Sequence, residues 1–204
     1  MLTLCIDTAY KYLTCALVSD DKIIGSYCEE CFKKQSEEVF AALDIVFKKA
    51  NVERKDIDSI CISKGPGSYT GVRIAMTIAK TIGELFNIDV YTISTLRLYA
   101  SNAPKTMVLM DARANRAYVG IYDKELIIQK DCALDINDID TKDYNLVGDL
   151  SLIGRTDTNI DVPKAFLKTK AYWDKVKTIA YLVPEYLKES DSYYRWLMKW
   201  NCLI

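Results

Sequence analysis

Apolar residues fall in short blocks divided by polar turns, and the block lengths set the expected elements. Leu2 to Asp7 and Leu13 to Val18 are apolar runs of strand length. Lys22 to Cys28 alternates, with Ile23, Gly25 and Tyr27 opposed to Ile24, Ser26 and Cys28. Tyr10-Lys11 and Ser19-Asp20-Asp21 separate the three, and strands so close in sequence predict an antiparallel meander. Ser36 has the chemistry of a helix N-cap, and Glu37 and Glu38 suit the first turn of a helix dipole. That helix is expected to run from about 36 to 50 and to stop at Asn51. Ile57 to Ser63 predicts a buried strand, Lys64-Gly65-Pro66-Gly67-Ser68 a sharp turn, and 68 to about 86 a second long helix. Val90 to Ile93 reads as a strand, with Ser94 or Thr95 capping the next helix.

From Thr106 the pattern restarts with strands at Thr106 to Asp111, Arg116 to Tyr122 and Leu126 to Lys130, then a short one at Asn145 to Val147. A helix is expected from near Ala171, with Trp173, Val176, Ala180 and Val183 on one face, ending or kinking at Pro184. The order βββαβα followed by a weaker βββ-led copy points to an internally duplicated α/β unit. The boundaries are 1–103 for the first lobe and 104–204 for a reduced second lobe with terminal helices, which pack back on the first.

The helix over 68–86 carries more than one stripe. Gly71, Ala75, Ala79 and Gly83 recur every fourth residue and trace a ridge of small side chains that admits close approach of another helix. Two glycines inside a helix each cost about 0.5–1 kcal/mol relative to alanine, so some contact must favour them. Ile74, Ile78 and Leu85 lie on one side, and Val72, Met76, Ile82 and Phe86 on another. The helix over 36–50 likewise has a core stripe, with Phe40, Ile45 and Phe47 off it. Two-sided helices in a small protein imply one face on the sheet and one on another subunit, or on the chain's own second lobe.

Composition narrows the chemistry. The chain has 204 residues, a formal net charge of -1 and a pI near 5.6, unlike a dedicated nucleic-acid binder. Histidine is absent, which excludes Ser-His-Asp and Cys-His nucleophile systems and histidine metal sites within these residues. Seven cysteines, several in apolar runs (Cys5, Cys15, Cys61), read as reduced core residues of a cytoplasmic protein. No apolar run approaches the ~20 residues of a membrane span, and Met1 to Asp7 reads as a strand rather than a leader.

The segment Ser63 to Ile74 is the densest signal. A strand, a Gly-Pro-Gly turn and a helix start can cradle a phosphate on free backbone N–H groups, or can be simply a tight turn. Neither the P-loop pattern nor the dinucleotide fingerprint is present.

Leu4-Cys5-Ile6-Asp7-Thr8-Ala9 with Thr14-Cys15-Ala16-Leu17 resembles the opening of the TsaB (YeaZ) family. Gly65-Pro66-Gly67-Ser68-Tyr69-Thr70-Gly71-Val72-Arg73 is similar to its signature, with Tyr69 where phenylalanine is common. Ser94-Thr95-Leu96, and Asp111-Ala112-Arg113 followed by Tyr118, match further landmarks, collinear over roughly 1–125. Val183-Pro184-Glu185-Tyr186-Leu187 resembles the closing segment. The resemblance implies an actin-like ATPase (ASKHA) fold of two RNase H-like lobes of mixed sheet plus helices. It implies a non-catalytic subunit that pairs with a TsaD-like paralogue, which carries the metal and transfers a threonylcarbamoyl group to N6 of adenosine 37 of tRNA. A TsaE-like ATPase joins the complex, so ATP and metal are expected on partner subunits. Partner contacts are expected from Phe40, Phe47, Gly71, Ile74, Ala75, Ile78, Ala79, Ile82 and Gly83, with an isologous homodimer through the same surface when the chain is alone. Asp7 is sited like the phosphate- or metal-facing aspartate of active relatives but lacks their following glycines. With Thr8, Gly65, Gly67 and Ser68 it is expected to be a vestige. Gln35-Ser36-Glu37 stands where many members carry His-Ser-Glu. The alternative is an autonomous nucleotide-binding ATPase or small kinase of the same fold.

Four other clusters have plainer readings. Cys28-Glu29-Glu30-Cys31 has zinc half-site spacing but acidic neighbours, which raise thiol pKa values. Asp111 and Arg113 suit an ion pair at a strand end, and Asp135 to Asp143 a solvated helix or loop. Tyr193-Tyr194-Arg195-Trp196-Leu197-Met198-Lys199-Trp200 mixes rings and cations, suited to docking on protein or to stacking on tRNA bases.

Overall fold

The computed structural model describes residues 1–31 and 34–187. Three strands, β1 (Leu2–Asp7), β2 (Tyr12–Ser19) and β3 (Lys22–Glu30), form the expected antiparallel meander. Helix α1 (Gln35–Ala50) ends at Asn51, which takes the left-handed conformation with φ 53° and donates its N–H back into the last turn. Ser36 is not its cap. Lys34 holds the cap position with no side-chain bond, and Ser36 lies exposed inside the helix. Gln35, buried, instead anchors the helix start by donating from Nε2 to the Tyr10 carbonyl at 3.0 Å.

Strand β4 (Ser59–Ser63) runs parallel to β1, α2 (Tyr69–Phe86) returns the chain, and β5 (Asp89–Ile93) lies parallel to β4. Ser68 caps α2 by accepting from the Gly71 N–H, and Ser94 caps α3 (Thr95–Ala100) by accepting from the Arg97 N–H. The second sheet comprises β6 (Thr106–Asp111), β7 (Arg116–Asp123), β8 (Leu126–Asp135) and β9 (Asn145–Gly148), in the order β8-β7-β6-β9. Its antiparallel pairs and its parallel β6–β9 pair repeat the β3-β2-β1-β4 arrangement of the first sheet. The acidic stretch becomes a 3-10 turn, Ile136–Asp138, capped by Asp135.

The final segment departs from expectation. A helix, α4, forms earlier, at Val162–Lys168, with Asp161 capping it and Pro163 in its first turn. No helix starts at Ala171. The chain makes a 3-10 turn (Lys170–Tyr172), then β10 (Asp174–Lys175), which pairs antiparallel with Tyr91 and Thr92 of β5, then a 3-10 turn at Ile179–Tyr181. The edge of β5 offers backbone groups that an extended segment can satisfy, and Trp173 and Val176 reach the core from there. The first sheet therefore reads β10-β5-β4-β1-β2-β3.

Both faces of the first sheet are covered. Leu4, Ile6, Leu13 and Leu17 pack under α1 and α2 with Val39, Val46, Val72 and Met76. On the other face Cys5, Ala16, Val18 and Cys61 meet Leu96 and Leu98 of α3, Phe166 of α4, and Val108 and Met110 of the second sheet. Residues of one strand thus divide between the two cores by the period-two rule. No helix among the described residues is long and apolar enough to cross a membrane.

Candidate functional site

A cleft of about 740 Å³ opens between the two sheets. Its walls are the β1–β2 turn (Ala9 to Lys11), the start of α1, the turn and first residues of α2 (Gly67 to Gly71), and the end of β6 with the residues after it (Met110 to Arg113). Tyr10, Lys11 and Asp149 bridge its floor. The Tyr10 hydroxyl donates to Asp149, whose other oxygen accepts the Asp111 N–H at 2.8 Å. Lys11 Nζ stands 3.6 Å from Asp149 and 3.4 Å from Asp157. Burial, reinforced by Asp149, pushes the Tyr10 phenol up, so it stays a donor. Nothing local in Tyr10-Lys11 marks this role; the partners lie some 140 residues away.

Asp7 does not line the cleft. It is fully buried, accepting from the Ala9 N–H at 2.9 Å, the Tyr99 hydroxyl at 2.9 Å and the Ser63 hydroxyl. Burial raises its carboxyl above the ordinary range, against the lowering effect of those three bonds. Thr8 is likewise turned inward: its hydroxyl donates to the Gly71 carbonyl at 2.6 Å and accepts the Ala75 N–H at 3.2 Å. The Gly-rich turn serves the same joint. Ser68 N–H donates to the Ala9 carbonyl, Gly71 N–H to Ser68 Oγ, and a Cβ on Gly67 would sit 2.3 Å from the Ala9 oxygen. Gly65, at φ 106°, lies against Glu185. The Asp7 carboxylate and the N–H groups of Ala9, Ser68 and Gly71 are spent within the chain, so the residues do not fit a bound metal or nucleotide phosphate at Asp7. Gly67 and Ser68 do reach the cleft wall, but the tight-turn reading of this segment is the one the geometry favours.

The small-residue ridge also turns inward. Gly71, Ala75, Ala79 and Gly83 are buried under α2, against β1, β4 and β5. A Cβ on Gly71 would lie 2.0 Å from the Thr8 carbonyl oxygen, and one on Gly83 would lie 2.6 Å from Val90 Cγ2 and 2.8 Å from Ile179 Cδ1. Phe47 and Ile78 are buried as well. The chain's own sheet and final segment therefore occupy six of the nine positions expected at a partner surface. Phe40 is 65% exposed, while Ile74 and Ile82 are half-buried. Beyond these, Ile45, Leu85 and Phe86 are exposed on the same two helices.

Arg113 pairs with Asp111 at 2.9 Å, as the spacing suggests. Cys28 accepts from the Thr14 hydroxyl, burial pushes the Cys28 and Cys31 thiols up, and among the described residues no cluster could hold a metal ion. Sequence reading missed the Ser94–Asp131–Tyr122 cluster and the buried Arg97, whose guanidinium lies 4.0 Å from the Tyr172 ring centre and 4.9 Å from that of Tyr122. Residues 193–200, the aromatic-basic stretch, lie outside the described residues.

Two sheets of matching strand order facing each other across a cleft define a two-lobed protein of the actin-like ATPase fold class. Residues 19–189 match the family model described as TsaD: tRNA N6-adenosine threonylcarbamoyltransferase, and the chain belongs to that family, as a TsaB (YeaZ) member. It is 33% identical over 126 residues to the tRNA threonylcarbamoyladenosine biosynthesis protein TsaB of Bacillus subtilis, covering 60% of this chain and 55% of that protein. The corresponding Escherichia coli TsaB is 28% identical over 131 residues, covering 61% and 56%. The chain thus spans just over half the length of these curated relatives. The solved structure of YeaZ from Pseudomonas aeruginosa superposes with a TM-score of 0.76 at 19% identity, over 91% of this chain and 99% of that one, which establishes a shared fold.

Proposed function

We propose that the chain is an accessory subunit of the complex that makes N6-threonylcarbamoyladenosine at position 37 of tRNA. It does no chemistry of its own and supports a TsaD-like catalytic subunit, with a TsaE-like ATPase in the larger assembly. ATP and metal belong to those partners, and the complex works in the cytoplasm. The names of its relatives support the pathway. The observation that carries the scaffold role is apolar surface left over on α1 and α2. Phe40 stands 65% exposed on a helix whose inner stripe is already buried. Ser36 and Phe40 share a helix face, and Ser36 and Ile74 both line the cleft, so Phe40 and Ile74 border the α1–α2 rim. An apolar anchor at such a rim is the kind of residue that carries a hot spot. Asp7, sealed by its own donors, supports the absence of turnover.

The test is Phe40→Asp, at a position exposed enough to leave folding intact. Affinity for the TsaD-like subunit, read by titration calorimetry, should drop by at least about tenfold, the effect of losing more than about 1.4 kcal/mol. Unchanged affinity in a folded variant sinks this interface. ATP hydrolysis by the pure chain, abolished by Asp7→Ala, would favour the autonomous ATPase or kinase.

A further inference from the structure

After β10 the chain runs as a strap along α2. Ile179 lies where a Gly83 side chain would be, Lys80 Nζ donates to the Ala180 carbonyl at 3.1 Å, and Tyr186 reaches Arg73 and Tyr69 at the first turn. The strap therefore runs antiparallel to the helix, over about 16 Å between Tyr69 and Lys80. Its outer surface presents rings and one aliphatic side chain, Val183 at 68% exposure, beside the cations Arg73 and Lys80 of α2. Tyr181 is 83% exposed, Tyr69 59% and Tyr186 45%. Tyr69 and Tyr186 stack with centroids 5.3 Å apart, and the Arg73 guanidinium lies 3.9 Å from the Tyr69 ring centre. Between the strap and the ends of β4 and β5 lies a groove of about 410 Å³, lined in part by Lys64, Lys177 and Tyr181 and by the apolar Val176, Leu182 and Val183. Lys64 is neutralised by Asp174 and Glu185, and Lys175 by Asp89. Among the described residues Arg73, Lys80 and Lys177 have no carboxylate partner.

We infer that this flank binds single-stranded RNA, with the groove beside Tyr181 receiving an unpaired base and Arg73, Lys80 and Lys177 following the phosphates. Exposed rings interleaved with unneutralised cations suit stacking plus backbone neutralisation, which tolerates any base, whereas a protein interface would centre on aliphatic and aromatic side chains shielded from charge. The field is local, since the whole chain carries a net charge of only -1. The inference rests on the tRNA reading above, but it assigns the contact to this chain and to a surface away from Phe40.

The experiment measures binding of a fluorescent tRNA transcript to the chain in complex with its TsaD-like partner, and to the chain alone if no complex forms. A fully paired RNA of equal length serves as competitor. Tyr181→Ala should weaken binding about 5- to 150-fold, as loss of one stacked base does. Arg73→Gln with Lys177→Gln should flatten the dependence of log K on log salt by about 0.7 for each cation lost. Duplex RNA should compete poorly. Unchanged affinity and slope in these variants overturn the inference. So does a loss of partner association with RNA binding intact, which would make the flank a protein contact. Failure of the wild-type chain to pair with the TsaD-like subunit refutes only the scaffold reading, because the RNA measurement on the chain alone still decides this one.

Discussion

Replacing Gly71 by alanine adds one methyl group to the face of α2 that lies on β1. By intrinsic propensity the change stabilises a helix by about 0.5–1 kcal/mol. The structure predicts the opposite sign. The new Cβ would stand 2.0 Å from the Thr8 carbonyl oxygen and 3.1 Å from Ser68 Cβ, both parts of the joint between β1 and α2. To reach ordinary contact α2 would have to move off β1 by more than an ångström. That movement strains the Thr8 hydroxyl's bonds to the Gly71 carbonyl and the Ala75 N–H, and the Ser68 cap. Overpacking of this kind costs about 1–3 kcal/mol, and one buried hydrogen bond about 1 kcal/mol more. After the propensity gain, a net loss of about 1–3 kcal/mol remains, a fall in Tm of roughly 2–12 °C for a chain of this size. Urea denaturation followed by circular dichroism reads the free energy directly. A Gly71→Ala variant with equal or greater stability would refute the claim that close backbone approach selects glycine here.

Tyr10→Phe removes the hydroxyl that ties the first lobe's hairpin to Asp149 of the second. A stability loss of about 1–2 kcal/mol is expected in urea titration, and no loss would show that the bridge is idle. Asp7 gives a pH signature. Its folded carboxyl titrates above its ordinary value of 3.8 because burial disfavours the charge. An acid raised on folding destabilises the fold once ionised, so its contribution declines as pH climbs from 3.8 through the folded value and is level beyond. The stability of wild type relative to Asp7→Asn should therefore decrease over that window in urea titrations at several pH values. A difference independent of pH would contradict the burial argument.

Block length and turn chemistry were enough for most of the first lobe. The meander, the two long helices to within a residue or two, the stop at Asn51 and a serine cap at Ser94 follow from residues within a few positions of each element, whereas the cap expected at Ser36 did not form and the one at Ser68 was not anticipated. The restart of strands from Thr106 announced the second sheet in the same local way. Which face of α2 looks inward was not local. Small residues every fourth position permit close approach without naming the partner, and the Thr8 carbonyl, 63 residues away, turned out to be what Gly71 meets. Local sequence leaves Asp7 readable as a ligand-facing carboxylate; in the fold Tyr99, 92 residues on, donates to its second oxygen while Ser63 and Ala9 hold the first. The last described segment shows the limit most plainly. Trp173 and Val176 have apolar spacing that suits a helix, yet the unsatisfied edge of β5 draws their neighbours into a strand, because backbone hydrogen bonding across a sheet depends on what lies beside a segment. Sequence thus determined the elements whose stabilising contacts are short-range. Only the tertiary structure decided which faces were spent on the chain's own core, and so which, such as Phe40, remained for another molecule.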